Sequence, residues 1–108
     1  MSQNIQVFNL RPGGTSSLLD ITAAQVVFAR PGCLVRILVQ APGTAGALTL
    51  NDNTQTGGSN VAANQIMSWA FGSMVAGQVI ELNWPCLNGL VVSAVPSAGS
   101  PVFAISYF

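Results

Sequence analysis

The sequence predicts an all-β domain: an antiparallel β-sandwich, jelly-roll-like, with seven or eight short strands. Short runs rich in Val, Ile, Leu, Thr and Phe alternate with turn pairs such as Pro-Gly, Gly-Gly and Asn-Gly. These turn signals recur at nearly regular spacing, which is typical of sandwiches and barrels. The one helical candidate is a brief turn at residues 61–65. Jelly-roll and immunoglobulin-like sandwiches share this pattern, so the strand order stays open.

The beginning of the chain predicts an arm ahead of the sandwich. Residues 1–16 are largely polar and carry Arg-Pro-Gly-Gly at 11–14, with a short strand expected at 5–10. The sandwich is then expected to occupy residues 17–108 as one domain, because 108 residues are too few for two. Its first short strands are predicted at 17–21 and 25–29.

Residues 33–40, CLVRILVQ, form the clearest predicted strand, because every odd position is apolar. The expected core face is Cys33, Val35, Ile37 and Val39, and the opposite face is Leu34, Arg36, Leu38 and Gln40. The second face is half polar, which suits contact with another chain better than contact with water.

The remaining strands follow the same logic. They are predicted at 47–51, 66–71, 78–84, 90–95 and 101–107, with a long polar loop, DNTQTGGSN, at 52–60. In 78–84 the alternation directs Ile80, Leu82 and Trp84 to one face, and Pro85 is expected to end the strand because proline donates no ladder hydrogen bond.

The charge content predicts self-association. The chain has three Arg, three acidic residues, no Lys and no His, whereas an ordinary domain is about one quarter charged. So little charge, with a net charge of zero, protects a monomer poorly against association. Three scattered Arg argue against nucleic-acid binding, and no apolar run is long enough for a membrane span. No signal peptide begins the sequence, so synthesis and assembly in cytoplasm are expected.

The chemistry of most enzymes is missing. Without His or Lys the chain has no Ser-His-Asp triad, Cys-His pair or Lys nucleophile. Asp20, Asp52 and Glu81 leave a two-carboxylate hydrolase formally open, but a strand edge, a turn and an outer strand face explain them more simply. Cys33 and Cys86 fit one disulfide or two buried thiols, and a cytosolic product favours thiols. We therefore predict no enzyme, cofactor or metal site; a calcium site in the loop 52–60 would have a single carboxylate.

The order of features from residue 31 onward has a known counterpart. It runs PGCLVRILVQAPGTAGALTLNDN, a Gly-rich polar loop, QVIELNWP, LNGLVVSAV and VFAISYF. This order resembles small β-sandwich virion proteins of tailed phages, of the head decoration, cement or fibre-associated type. The resemblance implies a non-enzymatic protein on the capsid surface, commonly trimeric, and it carries over no catalytic residue.

Two functions follow as hypotheses. The first is a decoration or cement protein that self-associates, as a trimer, and stabilises the shell of major capsid protein. Its expected interface residues are Phe8, Arg11, Arg36, Leu38 and Trp69. Arg36 should pair with an acid or with carbonyl groups across a subunit boundary, because its planar head suits desolvated contacts. The alternative is a phage fibre tip or carbohydrate-binding module that uses the loop 52–60 with Trp69 or Trp84.

Overall fold

The computed structural model describes residues 14–108, which form two four-stranded antiparallel sheets. The strands are β1 (Ser16–Ile21), β2 (Gln25–Phe28), β3 (Gly32–Ala41), β4 (Ala47–Asn51), β5 (Gln65–Ala70), β6 (Val79–Cys86), β7 (Leu90–Ala94) and β8 (Val102–Tyr107). The first sheet has the order β1-β8-β3-β6 and the second β2-β7-β4-β5. Every connection except β4–β5 crosses between the sheets, which is the strand order of an eight-stranded jelly roll. The predicted fold class is confirmed, and the open question of strand order is settled.

The hydrophobic core lies between the two sheets. It is built from alternate residues of both: Ile21, Phe28, Leu34, Ile37, Val39, Leu48, Leu50, Met74, Cys86, Leu90, Val92, Phe103 and Ile105. In β4, for example, Leu48 and Leu50 are buried while Thr49 between them is only half-buried. The period-two pattern of the sequence is therefore the reason that this segment forms a strand with one face toward the core.

The predicted core face of β3 is wrong in its first half. Leu34 pairs with Tyr107 of β8 but Arg36 pairs with Ser106, so Val35 is an extra residue in β3. Such a bulge inverts the alternation of the strand. The residues of β3 in the core are Leu34, Ile37 and Val39, whereas Cys33 is outside it and Val35 is buried without joining the core cluster.

The end of β6 also differs from the prediction. The strand continues through Pro85 to Cys86, because β6 lies at the edge of its sheet and proline there needs no second ladder partner. Asn83 has φ 49°, and one extra residue of β6 is inserted between the pairs Leu34–Trp84 and Arg36–Glu81. The pairing with Leu34, a core residue, directs Trp84 to the inner face of β6.

The two short helical elements are single 3-10 turns, Ala62–Asn64 and Phe71–Ser73. The first falls within the predicted helical turn at 61–65. None of the helices in the part of the chain that the structure describes is long and apolar enough to cross a membrane. Most of the predicted arm, residues 1–13, lies outside the described residues, and β1 begins at Ser16.

Candidate functional site

The outward-facing side of the first sheet carries two rows of side chains that cross the strands. The polar row consists of Ser17, Ser106, Arg36 and Glu81, which are register partners in that order across β1, β8, β3 and β6. The neighbouring apolar row consists of Ala104, Leu38 and Val79, with the bulge of Leu19 and Asp20 in β1 opposite Ala104. We call these two rows the outer face.

The outer face combines exposed apolar groups with unpartnered polar atoms. Leu19 is 67% and Val79 53% exposed. Among the described residues, Arg36 Nε and Ser106 Oγ are buried and have no hydrogen-bond partner. They adjoin a shallow depression of about 250 Å³ that Leu38 and Val79 also line. An unsatisfied buried polar atom costs about 1–3 kcal/mol, so a covering chain that offers acceptors would gain from this surface.

The opposite side of the sandwich presents a contrast. On the second sheet Thr49 Oγ1 and Ser68 Oγ of neighbouring strands lie 3.2 Å apart and form a hydrogen bond. Their polar groups are therefore already paired within the chain. The outer face of the first sheet differs from this pair, because two of its buried polar atoms have no hydrogen-bond partner within residues 14–108.

The structure brings two of the predicted interface residues together and separates a third. Arg36 and Leu38 both belong to the outer face, whereas Trp69 packs against the core from β5, opposite Leu48. Phe8 and Arg11 lie outside the described residues. The acid expected for Arg36 is in its own chain, since its Nη2 lies 3.3 Å from Glu81 Oε2. Sequence reasoning missed Val79, Ala104 and Ser106, although the alternation in VFAISYF could have placed the last two on one face.

The polar loop after β4 is held by asparagine side chains. Asn51, which is buried, donates from Nδ2 to Asn64 Oδ1 (2.6 Å) and to the carbonyl of Val61 (3.1 Å). Its Oδ1 accepts a hydrogen bond from Ser93 Oγ at 2.6 Å. Further along, Asn60 accepts a bond from Asn53 Nδ2 at 3.1 Å. Most amides of this loop therefore serve its own conformation rather than a ligand.

Asp52 fixes the loop between β6 and β7. Its carboxylate accepts three backbone N–H bonds, from Leu87 (2.9 Å), Asn88 (2.8 Å) and Gly89 (3.2 Å). Burial alone would raise the pKa of Asp52, but these three bonds favour the ionised form, and the net result is a lowered pKa. The sequence placed Asp52 at the start of the loop 52–60, and its role as the cap of the separate loop at 87–89 was not predicted.

The two cysteines are free thiols. Cys33 pairs with Pro85 and Gly32 with Cys86, so the two sulfur-bearing side chains leave the sheet on opposite faces and do not meet. Burial, with a smaller contribution from the negative charge of Asp52, raises the pKa of Cys86 to about 11. Burial also raises the pKa of Cys33. Neither thiol is thus activated as a nucleophile, since that role requires a lowered pKa.

No group of three potential metal ligands comes together within residues 14–108. Of the three acids, Glu81 is paired with Arg36, Asp52 caps a loop, and Asp20 sits in the β1 bulge with φ 58°. Two of the three acids, Glu81 and Asp52, therefore have structural roles of their own.

A second depression, of about 310 Å³, lies where edge strands β5 and β6 of the two sheets approach each other. We call it the Trp84 depression. It is lined by Asp52, Ala63, Asn64, Gln65, Ile66, Trp84, Leu87 and Asn88. Trp84 is 52% and Leu87 74% exposed, although both are large apolar side chains. The depression therefore joins an aromatic surface to a polar rim.

Comparison of the chain with protein-family models, with curated proteins and with solved structures finds no match.

Proposed function

We propose that this chain is a structural protein of a tailed-phage virion, a decoration or cement protein that self-associates, as a trimer, and stabilises the shell of major capsid protein. Three observations support the proposal: the resemblance of the sequence to phage virion proteins, the jelly-roll fold and the low charge content. The observation that carries the self-association is the outer face, because it exposes Leu19 and Val79 beside two buried polar atoms that have no partner in the described part of the chain.

The outer face suits contact with another copy for a physical reason. Its only charged pair, Arg36 and Glu81, is already neutralised within the chain. Covering the two rows therefore leaves no unpaired charge among their own side chains, whereas Asp20 in the adjoining β1 bulge has to stay in contact with water at the edge of the interface. The apolar row contributes about 25 cal/mol for each Å² removed from water. A partner that offers acceptors adds hydrogen bonds at the same place once the side chains of Arg36 and Ser106 turn toward it, because both unpartnered atoms are buried in the single chain.

One pair of matched variants tests this surface. Val79→Glu places a carboxylate on the outer face, whereas Val75→Glu places one on a residue that is 67% exposed and follows the second 3-10 turn. Both positions are exposed, so both variants should fold, and both change the net charge equally. Sedimentation velocity should show at least about tenfold weaker association for Val79→Glu only. If Val79→Glu associates as strongly as the unchanged chain, the assignment of the interface to the outer face is wrong. If both variants dissociate, the change in net charge explains the loss of association, and the outer face is again not assigned.

The virion role needs a separate assay. The purified chain is mixed with heads of the same phage that were assembled without it, and the mixture is sedimented. We expect saturable co-sedimentation at a fixed ratio to the major capsid protein. Failure of the folded chain to sediment with the heads contradicts the decoration function.

A further inference from the structure

We propose that the Trp84 depression binds a neutral saccharide. This inference does not rest on the virion function. It concerns a surface at the seam between the sheets, whereas the outer face lies on the outward side of one sheet. The inference depends on one arrangement: an exposed indole lies beside polar side chains, and hydrogen bonds hold the backbone around them.

Trp84 forms the aromatic part of the depression. Register places it on the inner face of β6, where its partner Leu34 is fully buried. Trp84 is nevertheless 52% exposed, since it belongs to an edge strand at the open seam beside Gln65 and Ile66. A half-exposed indole offers a flat, electron-rich face with a polar N–H at its rim. Such a face suits the C–H side of a sugar ring.

Two side-chain amides form the polar rim of the depression. The side-chain amides of Gln65 and Asn88 line the depression and make no hydrogen bond to the described residues. Each amide has a carbonyl acceptor and an NH2 donor, which together match the hydroxyl groups of a sugar. Ligand sites of this kind usually combine an apolar surface with a few polar groups that set orientation.

Hydrogen bonds hold the backbone around the depression in place. Asp52 holds the backbone N–H groups of residues 87–89, and Asn51 holds Asn64 through a 2.6 Å hydrogen bond. Asn83, immediately before Trp84, keeps a left-handed backbone conformation with φ 49°, which is uncommon for a residue other than glycine. A site that is already ordered loses less entropy when a ligand binds.

The charge of the depression selects the class of sugar. Among the residues that line the depression there is no Arg, Lys or His, and Asp52 supplies a negative charge. A sialylated or sulfated glycan would meet that carboxylate without a compensating cation. The expected ligand is therefore uncharged. The sequence suggested the loop 52–60 with Trp69 or Trp84 as a sugar contact. Trp69 packs against the core and the loop amides are mostly paired internally, which leaves Trp84.

The test uses the full chain and an array of neutral, sialylated and sulfated glycans. We expect binding to a subset of neutral glycans only. Titration of the isotopically labelled chain with the monosaccharide units of those glycans should then shift the indole N–H signal of Trp84 and the backbone amides of residues 64–66, 84 and 86–88. Trp84→Ala should weaken binding by about tenfold or more, and Trp84→Phe should retain most of it because it keeps a ring. Val75→Ala is the matched control, since it trims another exposed apolar side chain and should change nothing.

Thermal unfolding of each variant shows whether a loss of binding reflects a loss of fold. If Trp84→Ala is unstable, Gln65→Ala and Asn88→Ala test the same site, since both residues are exposed. An array with no neutral glycan bound overturns the proposal. So does preferential binding of acidic glycans, or binding that Trp84→Ala leaves unchanged. Dissociation of an oligomer by Trp84→Ala, without any glycan bound by the unchanged chain, assigns the depression to a protein contact and also overturns it.

Discussion

Replacement of Asp52 by alanine should destabilise the fold by an amount that depends on pH. The substitution removes an acceptor that takes three backbone N–H bonds, at 2.9, 2.8 and 3.2 Å. The arrangement is equivalent to a helix N-cap, for which loss of the side chain costs about 0.5–2 kcal/mol. Three bonds to one carboxylate, in a site that is only partly buried, place the expected cost at about 1–2 kcal/mol. The melting temperature should then fall by roughly 4–16 °C for a domain of this size.

The pH dependence of that cost has a definite sign. The pKa of Asp52 is lower in the folded chain than its ordinary value, since the folded state stabilises the carboxylate. Its contribution is therefore fully present above the unfolded pKa, near 3.9, and is lost as the pH falls through the lower folded pKa. The difference in unfolding free energy between the unchanged chain and Asp52→Ala should be constant from pH 5 to 7, within about 0.3 kcal/mol, and should shrink below about pH 4.

Urea unfolding at several pH values measures this difference. Asp52→Asn is the matched variant, because it keeps one oxygen acceptor but cannot ionise. We expect an intermediate loss of stability, and a stability profile that lacks the acid-dependent part contributed by Asp52. A cost below about 0.3 kcal/mol at pH 6, or a cost that grows on acidification, would refute the capping role.

The remaining predictions concern backbone approach, thiol reactivity and the buried amide. Gly89→Ala should destabilise the fold by about 1–3 kcal/mol, because the new Cβ would meet backbone carbonyl oxygens of two neighbouring segments. At Gly72 a new Cβ faces open space, so Gly72→Ala should be neutral within about 0.5 kcal/mol. Chemical denaturation of both variants measures the difference. Cys33 and Cys86 should remain unpaired after air oxidation. The buried Cys86 thiol, with its pKa of about 11, should react with iodoacetamide at pH 8 far more slowly in the folded chain than after unfolding. Intact-mass spectrometry measures both outcomes. Asn51→Ala should cost about 1–3 kcal/mol because it removes a buried amide that makes three hydrogen bonds, and a variant as stable as the unchanged chain would contradict the network.

The fold was largely predictable because its strands obey simple alternation. Leu48 and Leu50, or Phe103 and Ile105, can be assigned to the core from the sequence pattern alone. The bulge at Val35 could not, because one extra residue in a ladder leaves no mark in an apolar run such as CLVRILVQ. Prediction of Cys33 as a core residue failed for that reason.

The candidate surfaces were predictable only in part. Arg36 and Leu38 share a face because they are two residues apart in one strand, so their proximity follows from the sequence. Their neighbours Val79 and Ala104 come from strands distant in the chain, and only the strand order brings them there. The Trp84 depression depends on where β5 and β6 end up as edges of different sheets, which no local pattern specifies.

The absolute mass of the purified chain in solution tests the central claim most directly. Light scattering during size exclusion, on the full-length 11.1 kDa chain, reports it without a shape assumption. The outer face and the low charge predict a defined trimer that persists on moderate dilution. A soluble monomer at every concentration would contradict self-association through the outer face and would leave its exposed apolar row without a function.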